Sequence, residues 1–340
     1  MKKTFIKYKK LLIGFLLVFI PVMFMSTYRI EYSFKAPGLT DNISTFIVIE
    51  DSYYSGSSFH TTRVIVLNKI TIIQYLLGTW EQTVSVEEFP EYYSDIDIKD
   101  IYVMGYLMKD DSLATSLIVG IENSGYSVDY ETYLTVYLTF NYLTSDSLKL
   151  GDKILTIDGS TDYDTAINNV ACGDAAEFEI IREDEEMIVH AVKSQHDDGT
   201  CTFGMYLGYF TEILDTEINY EIIETDTGGP SGGLMQALYV YYNLVESDLE
   251  TGLKIAGTGT IDVFGDVGYI GGIRQKIITA SLNNVDIFFV PHLSDDDNDN
   301  YIKALEVYNT LDTDMVLVGV SNFAEALEYL NNYTRGDCNE

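Results

Sequence analysis

The sequence predicts a multidomain protein of mixed α/β and α+β class, headed by a single transmembrane helix. Three observations predict it. Residues 11–28, LLIGFLLVFIPVMFMSTY, run 18 positions without a charged side chain. Residues 113–197 read as strand, turn, strand, helix and hairpin, and from residue 198 onward helix-period and strand-period stretches alternate. At 340 residues the chain has room for two or three domains, each able to bury a core.

As a helix the apolar run would be about 27 Å long, at the short end for a bilayer span. Lys2, Lys3, Lys7, Lys9 and Lys10 precede it and Arg29 follows it, a bias that keeps residues 1–10 in the cytoplasm and places the rest of the chain outside. A cleaved signal peptide has the same basic-then-apolar pattern. No A-x-A-like site follows the run and no cysteine near its end offers a lipid attachment point, so a retained single-pass anchor in the cell membrane is favoured. Six of the 20 basic residues lie before residue 30 and none of the 53 acidic ones does, leaving 14 against 53, a balance of −39, over residues 30–340. Such a surface repels phosphate backbones and argues against nucleic acid as a partner, while it keeps an exposed domain soluble. Cys172, Cys201 and Cys338 are widely spaced, with no CxxC pair to suggest a metal or redox site. Two of them could join outside the membrane.

Residues 29–112 contain mixed apolar runs such as FIVIE (46–50), RVIVLNKITIIQYLL (63–77) and IYVMGYLM (101–108). TRVIVLN alternates at strand period, and TIIQYLLGTW is more helical, with Gly78 a candidate stop. This reads as a membrane-proximal α+β region without an identifiable site.

In residues 113–197, VYLTFNYLT alternates like a strand, LKLGDKILTIDGS gives a turn, a strand and another turn, and TDYDTAINNVA a short helix capped by Thr161 or Asp162. AEFEIIREDEEMIVHAVKS then reads as two strands around a polar tip. This order, with GDKILTIDG at its centre, resembles a PDZ domain of the bacterial type. The resemblance implies that an extended peptide could add as a strand beside VYLTF, in a groove formed with the 162–171 helix. YLT (133–135) stands where the family has a glycine-containing carboxylate loop. A packing module without ligand is the alternative.

Residues 198–340 hold the stretch ETDTGGPSGGLMQAL (224–238). Gly228 and Gly229 permit close backbone approaches, Pro230 presets the start of a helix, and Ser231 would sit at that helix's N-terminus, where free N–H groups and the positive end of the dipole can meet an oxyanion. A serine there is also a good helix cap. The following LMQALYVYYNLV is apolar nearly all round and should be buried. Then come LKIAGTGTIDV, the GDVGYIGG turn, an IRQKIITASLNN helix, the strand DIFFVP, and a closing helix, strand and helix in NYIKALEVYNT, DMVLVGV and NFAEALEYLNN. No G-x-x-x-x-G-K-[ST] string occurs, so nothing indicates ATP use.

A serine nucleophile needs a base. His60, His190, His196 and His292 stand in no recognisable triad context, and His292, beside the acidic SDDDNDN loop, reads as a surface residue. A lysine can serve if apolar burial lowers its pKa. Lys276, in GGIRQKIITA, is also readable as an ordinary solvated helix lysine. What decides is the combination: GGPSGG, then GTG (257–259), then GDVGYIGGIRQK, in order, with Ser231 and Lys276 45 positions apart. These strings, over roughly residues 205–335, closely resemble the proteolytic domain of Lon-type proteases, which use a serine-lysine dyad. The resemblance implies Ser231 as nucleophile, Lys276 as base and Thr258 as the threonine whose hydroxyl helps to hold that lysine. Gly232 replaces the small residue, most often alanine, after the serine, and Gly228 replaces the acidic residue three before it.

The whole order resembles the membrane-anchored, PDZ-containing Lon-like serine proteases of Gram-positive bacteria, with a cytoplasmic segment 1–10, anchor 11–28, membrane-proximal region 29–112, PDZ-like domain 113–197 and Lon-type domain 198–340. It implies ATP-independent hydrolysis of extracellular peptides or flexible protein segments, no cofactor or metal, and a homo-oligomer by analogy. Two rivals stand beside it. One is a peptide-binding scaffold whose protease domain is inactive; retention of both Ser231 and Lys276 weighs against it. The other is a signal-peptidase-like enzyme, which needs its serine close to the membrane, whereas Ser231 follows the anchor by about 200 residues.

Overall fold

The computed structural model describes residues 2–53, 56–90, 93, 96–140, 148–195, 199–249, 251–294 and 296–333. Cys338 and His196 lie outside the described residues. The chain divides into two compact units, Met1–Gly38 with Val64–Ser94, and Leu39–Arg63 with Asp95–Glu340. The sequence-based boundaries at 112 and 197 do not coincide with this division.

The first unit opens with α1 (Lys2–Thr27), whose stretch Tyr8–Thr27 is long and apolar enough to cross a membrane and is not buried in protein. Just beyond it Arg29 forms a bridge with Thr71, and residues 32–35 pair antiparallel with 85–88. Thr71 starts α2 (Ile72–Trp80) through a capping box: its hydroxyl accepts the Gln74 N–H (3.3 Å) while the Gln74 side chain accepts the Thr71 N–H (2.8 Å). Gly78 lies inside α2 and does not stop it. Its role is contact: a Cβ there would stand 2.6 Å from Val86 and 2.9 Å from Phe34, so only glycine lets the helix lie this close to the strands.

The second unit includes residues 39–63 and 95–112, which the sequence groups with the membrane-proximal region. The latter begin α3 (Ile98–Asn123), a single 26-residue helix started by Asp97, whose carboxylate accepts the Lys99 N–H (2.9 Å). The domain boundary expected between residues 112 and 113 therefore falls inside this helix, just after the charged Lys109, Asp110 and Asp111. The second half of the helix, Ser112 to Ile121, is largely buried.

An antiparallel five-stranded sheet has the order Met205–Thr216, Val128–Thr139, Lys153–Ile157, Ala175–Arg182, Glu185–Val192. α4 (Tyr163–Asn169) lies against it, capped by Asp162. The hairpin tip expected at REDEE is a tight turn with Glu183 and Asp184 both at positive φ (52° and 63°). In the GDKILTIDG string, Asp152 is buried and held bidentately by Arg182, at 2.7 Å from Nε and 2.6 Å from Nη2. Cys172 and Cys201 form a disulfide beside this sheet.

Two expectations change here. Residues 133–135 lie within a strand and not in a loop before one. Residues 204–207 already run along 136–140, with the Phe140 N–H donating to the Gly204 carbonyl (2.8 Å), and on the other side Leu134 pairs Ile154 while the Val136 N–H donates to Asp152 (3.0 Å). On the 204–207 side a peptide strand beside VYLTF would meet the protein's own chain. The strand 205–216, assigned from sequence to the Lon-type region, belongs to this sheet.

A second large set of strands in this unit is parallel: residues 58–61 pair with Lys254–Gly257, that strand with Ile287–Pro291, and that one with Val316–Val320. The helices are α5 (Gly233–Leu244), α6 (Ile273–Leu282), α7 (Asn300–Tyr308) and α8 (Phe323–Asn332). α5 is buried nearly all round, as its sequence predicts. Leu234, Ala237, Leu238 and Tyr242 share one core with Leu117 and Ile121 of α3 and with Ile255 and Phe289 of the sheet.

Candidate active site

Ser231 lies in the turn immediately before α5 and is partly exposed. The helix cap is Gly232, with no side-chain capping bond, so the Ser231 hydroxyl is not used as a cap and remains available. The turn is held from two directions. From α3, the Gly105 carbonyl accepts the Gly229 N–H (2.7 Å), the Ser112 hydroxyl donates to the Pro230 carbonyl (3.0 Å) and the Ser116 hydroxyl to the Gly233 carbonyl (3.0 Å). From the segment after the central parallel strand, the Ser231 carbonyl accepts from the Thr258 hydroxyl (3.0 Å) and the Gly259 N–H (2.9 Å). Every backbone tie on this list fixes the turn without using the serine side chain.

The glycines around the serine are explained by these approaches. A Cβ at Gly228 would stand 3.3 Å from the Gly105 backbone, so any side chain there would require α3 to give by a few tenths of an ångström. A Cβ at Gly232 would come within 2.9 Å of both Thr61 and the Gln236 side chain, which accounts for glycine in place of alanine.

Lys276 sits on α6, which starts at Gly272 in the left-handed conformation (φ 71°). Its side chain is only 4% exposed. Nζ lies 2.8 Å from Ser231 Oγ and 3.0 Å from the Thr62 carbonyl oxygen, which accepts its N–H. Burial disfavours the ammonium and pushes the pKa from 10.5 down to about 7. The solvated-helix reading of this lysine is thereby excluded. Its amine is held out of solvent and aimed at a hydroxyl, with a pKa of about 7.

Thr258 is fully buried, and its hydroxyl goes to the Ser231 carbonyl and not to the lysine. The group that fixes the lysine is instead the carbonyl of Thr62. Sequence reasoning missed Thr62 because a backbone oxygen leaves no side-chain signature. It missed Gly105, Ser112 and Ser116 as well, although a signal existed: with Gly120 they form a line of small residues at helical spacing. A Cβ at Gly120 would stand 2.5 Å from Val240, so this line is where α3 closes on α5.

The described histidines take no part in this site. His60 is buried, its Nε2 3.0 Å from Ser58 Oγ, and burial with the nearby Lys254 charge pushes its pKa down to about 4. His292 is more than a surface residue: its Nδ1 lies 3.2 Å from Asp299, which caps α7. His190 pairs in the hairpin opposite Glu177. Among the described residues no group of His, Cys, Asp and Glu is arranged to hold a metal ion.

Residues 182–331 match the family model of the Lon protease (S16) C-terminal proteolytic domain. No curated protein matches the chain. Among solved structures it is similar to the PDZ domain of an SdrC-like protein from Listeria monocytogenes, at 20% identity and a TM-score of 0.18, covering 22% of this chain and 85% of that one.

Proposed function

We propose that the serine protease of the S16 family carried by this chain, matched over residues 182–331, works through Ser231 as nucleophile and Lys276 as its general base. The observation that carries this reading is the 2.8 Å approach of a buried lysine amine to the Ser231 hydroxyl. A neutral amine with its N–H donated to the Thr62 carbonyl has its lone pair free for the serine proton. A pKa near 7 is where a base best combines a large neutral fraction with a useful proton affinity. Ser231 Oγ then attacks the peptide carbonyl, and the positive end of the α5 dipole favours the oxyanion. The lysine returns its proton to the leaving amine, and a water releases the acyl group. Thr258 supports the site by holding the Ser231 carbonyl, and so the direction of the side chain.

The absence of a phosphate-binding string from the sequence supports ATP-independent action. Without a motor, substrates are extended peptides or flexible protein segments. α1 anchors the chain in the cell membrane with residues 1–10 in the cytoplasm, an orientation supported by the lysines before the span. The Cys172–Cys201 disulfide supports an oxidising compartment for the protease domain.

Casein cleavage by the full chain in detergent micelles, without nucleotide, tests the proposal. Wild type is expected to cut, and Ser231→Ala and Lys276→Ala each to lose at least about a thousandfold of that activity. Cleavage by either folded variant near the wild-type rate would overturn the assignment.

A further inference from the structure

The apolar residues of α2 are arranged opposite to what a core helix requires. Gly78 points inward against Val86 and Phe34, and Tyr75 packs edge-on to Tyr32 with centroids 4.9 Å apart. The other side carries Leu76, Leu77 and Trp80, exposed by 51%, 58% and 85%. At 100° per residue these three fall within about 100° of one another on the wheel, a continuous apolar stripe facing away from the unit's own protein. The helix has no charged residue from Ile72 to Trp80.

The place of this stripe in the first unit identifies what covers it. α1 crosses the bilayer up to Thr27 in the reading above, and two residues later Arg29 bridges Thr71, the cap of α2. α1 and α2 also pack on one another. α2 therefore starts where the span leaves the hydrocarbon, at the depth where tryptophan is enriched in membrane proteins. We propose that α2 is an interfacial membrane helix, with Leu76, Leu77 and Trp80 inserted among the lipid acyl chains and headgroups of the leaflet into which α1 emerges. A stripe of this kind binds through buried apolar area and needs no specific lipid. It gives the anchor a second, shallow attachment and fixes the first unit against the membrane surface. The inference rests on α1 being a retained span.

Trp80 is the only tryptophan in the chain, so tryptophan emission, excited at the red edge where the tyrosines do not absorb, reports on this position alone. The full chain is reconstituted into phosphatidylcholine vesicles with and without brominated acyl chains, and acrylamide is added from the aqueous side. The expected result is quenching by brominated lipid and protection from acrylamide, with brominated-lipid quenching lost in Leu76→Gln/Leu77→Gln. Emission open to acrylamide and indifferent to brominated lipid would overturn the inference. So would protection from acrylamide without lipid quenching, which would place a second copy or another protein on the stripe. A double variant quenched as strongly as wild type would overturn it too, since α1 alone would then hold Trp80 near lipid. Alkaline carbonate extraction separates the two readings: release of the chain would refute the anchor and this inference together, whereas retention with a water-exposed Trp80 refutes only this one.

Discussion

The helices α2 and α5 are both apolar over most of their length, and they dispose of their side chains in opposite ways. In α5, ten residues are buried, from Gly233 to Leu244, and the helix serves as the rigid support behind Ser231. In α2 the only residue fully out of solvent is Gly78, while Leu76, Leu77 and Trp80 stand out from the surface. Composition does not separate the two cases. Neighbours do: α5 is enclosed by α3 and the parallel sheet, whereas α2 offers its apolar side to whatever lies outside the unit. An apolar helix is a statement about water avoidance, and either protein or lipid can satisfy it.

The comparison is tested most strongly by truncating one leucine in each helix. Leu238→Ala, at a position with no exposure, is expected to lower the unfolding free energy by about 2–5 kcal/mol. Leu77→Ala should change it by less than about 0.5 kcal/mol in detergent. Denaturant titration of both variants checks this, and equal losses would show that α2 is packed against protein.

A second prediction concerns the lysine enclosed beside α5. The folded pKa of Lys276 is lowered to about 7 from 10.5, so the unfolded chain binds the extra proton. Stability from this group therefore rises as pH climbs from about 7 to about 10.5, and the penalty for enclosing the amine is fully present below about 7. Lys276→Met removes the penalty and leaves the Thr62 carbonyl without its donor, a loss of about 1–3 kcal/mol. The net expectation is a protein about 2–4 kcal/mol more stable than wild type at pH 6, with the gain vanishing and reversing sign as pH approaches about 10, and without protease activity. Thermal melts across that range check the sign; a variant less stable at pH 6 than at pH 9, relative to wild type, would contradict it.

The smallest expected effect lies at the contact between α3 and the serine turn. Ser112→Ala removes the donor to the Pro230 carbonyl and should cost about 1 kcal/mol in stability. Because that bond positions Ser231, kcat should fall by roughly three- to tenfold while KM stays close to wild type. An unchanged kcat would reduce Ser112 to a packing residue.

Much of this was legible in the sequence, for identifiable reasons. The helix and strand order after Ser231, the burial of α5, the REDEE hairpin tip and a cap at Thr161 or Asp162 all follow from period and turn chemistry that act locally. The approach of Ser231 and Lys276 was legible only through resemblance, because spacing alone gives an ordinary helix lysine. What was not legible depends on chain segments distant in sequence. Residues 39–63 and 95–112 fold with the serine-bearing unit, and from them come Thr62, Gly105 and Ser112, two of which act through backbone carbonyls. The exposed stripe of α2 was equally hidden, since TIIQYLLGTW reads the same whether its leucines face a core or a membrane.

The most direct test of the central claim is the pH dependence of Ser231 acylation by a serine-directed active-site probe, measured with the full chain in micelles. If the buried amine is the base, the labelling rate of wild type rises with pH through an apparent pKa of about 7 and levels off above it, while Lys276→Met shows no such rise and labels far more slowly. A wild-type profile that is flat across neutrality, or one that survives the Lys276→Met change, would contradict the account.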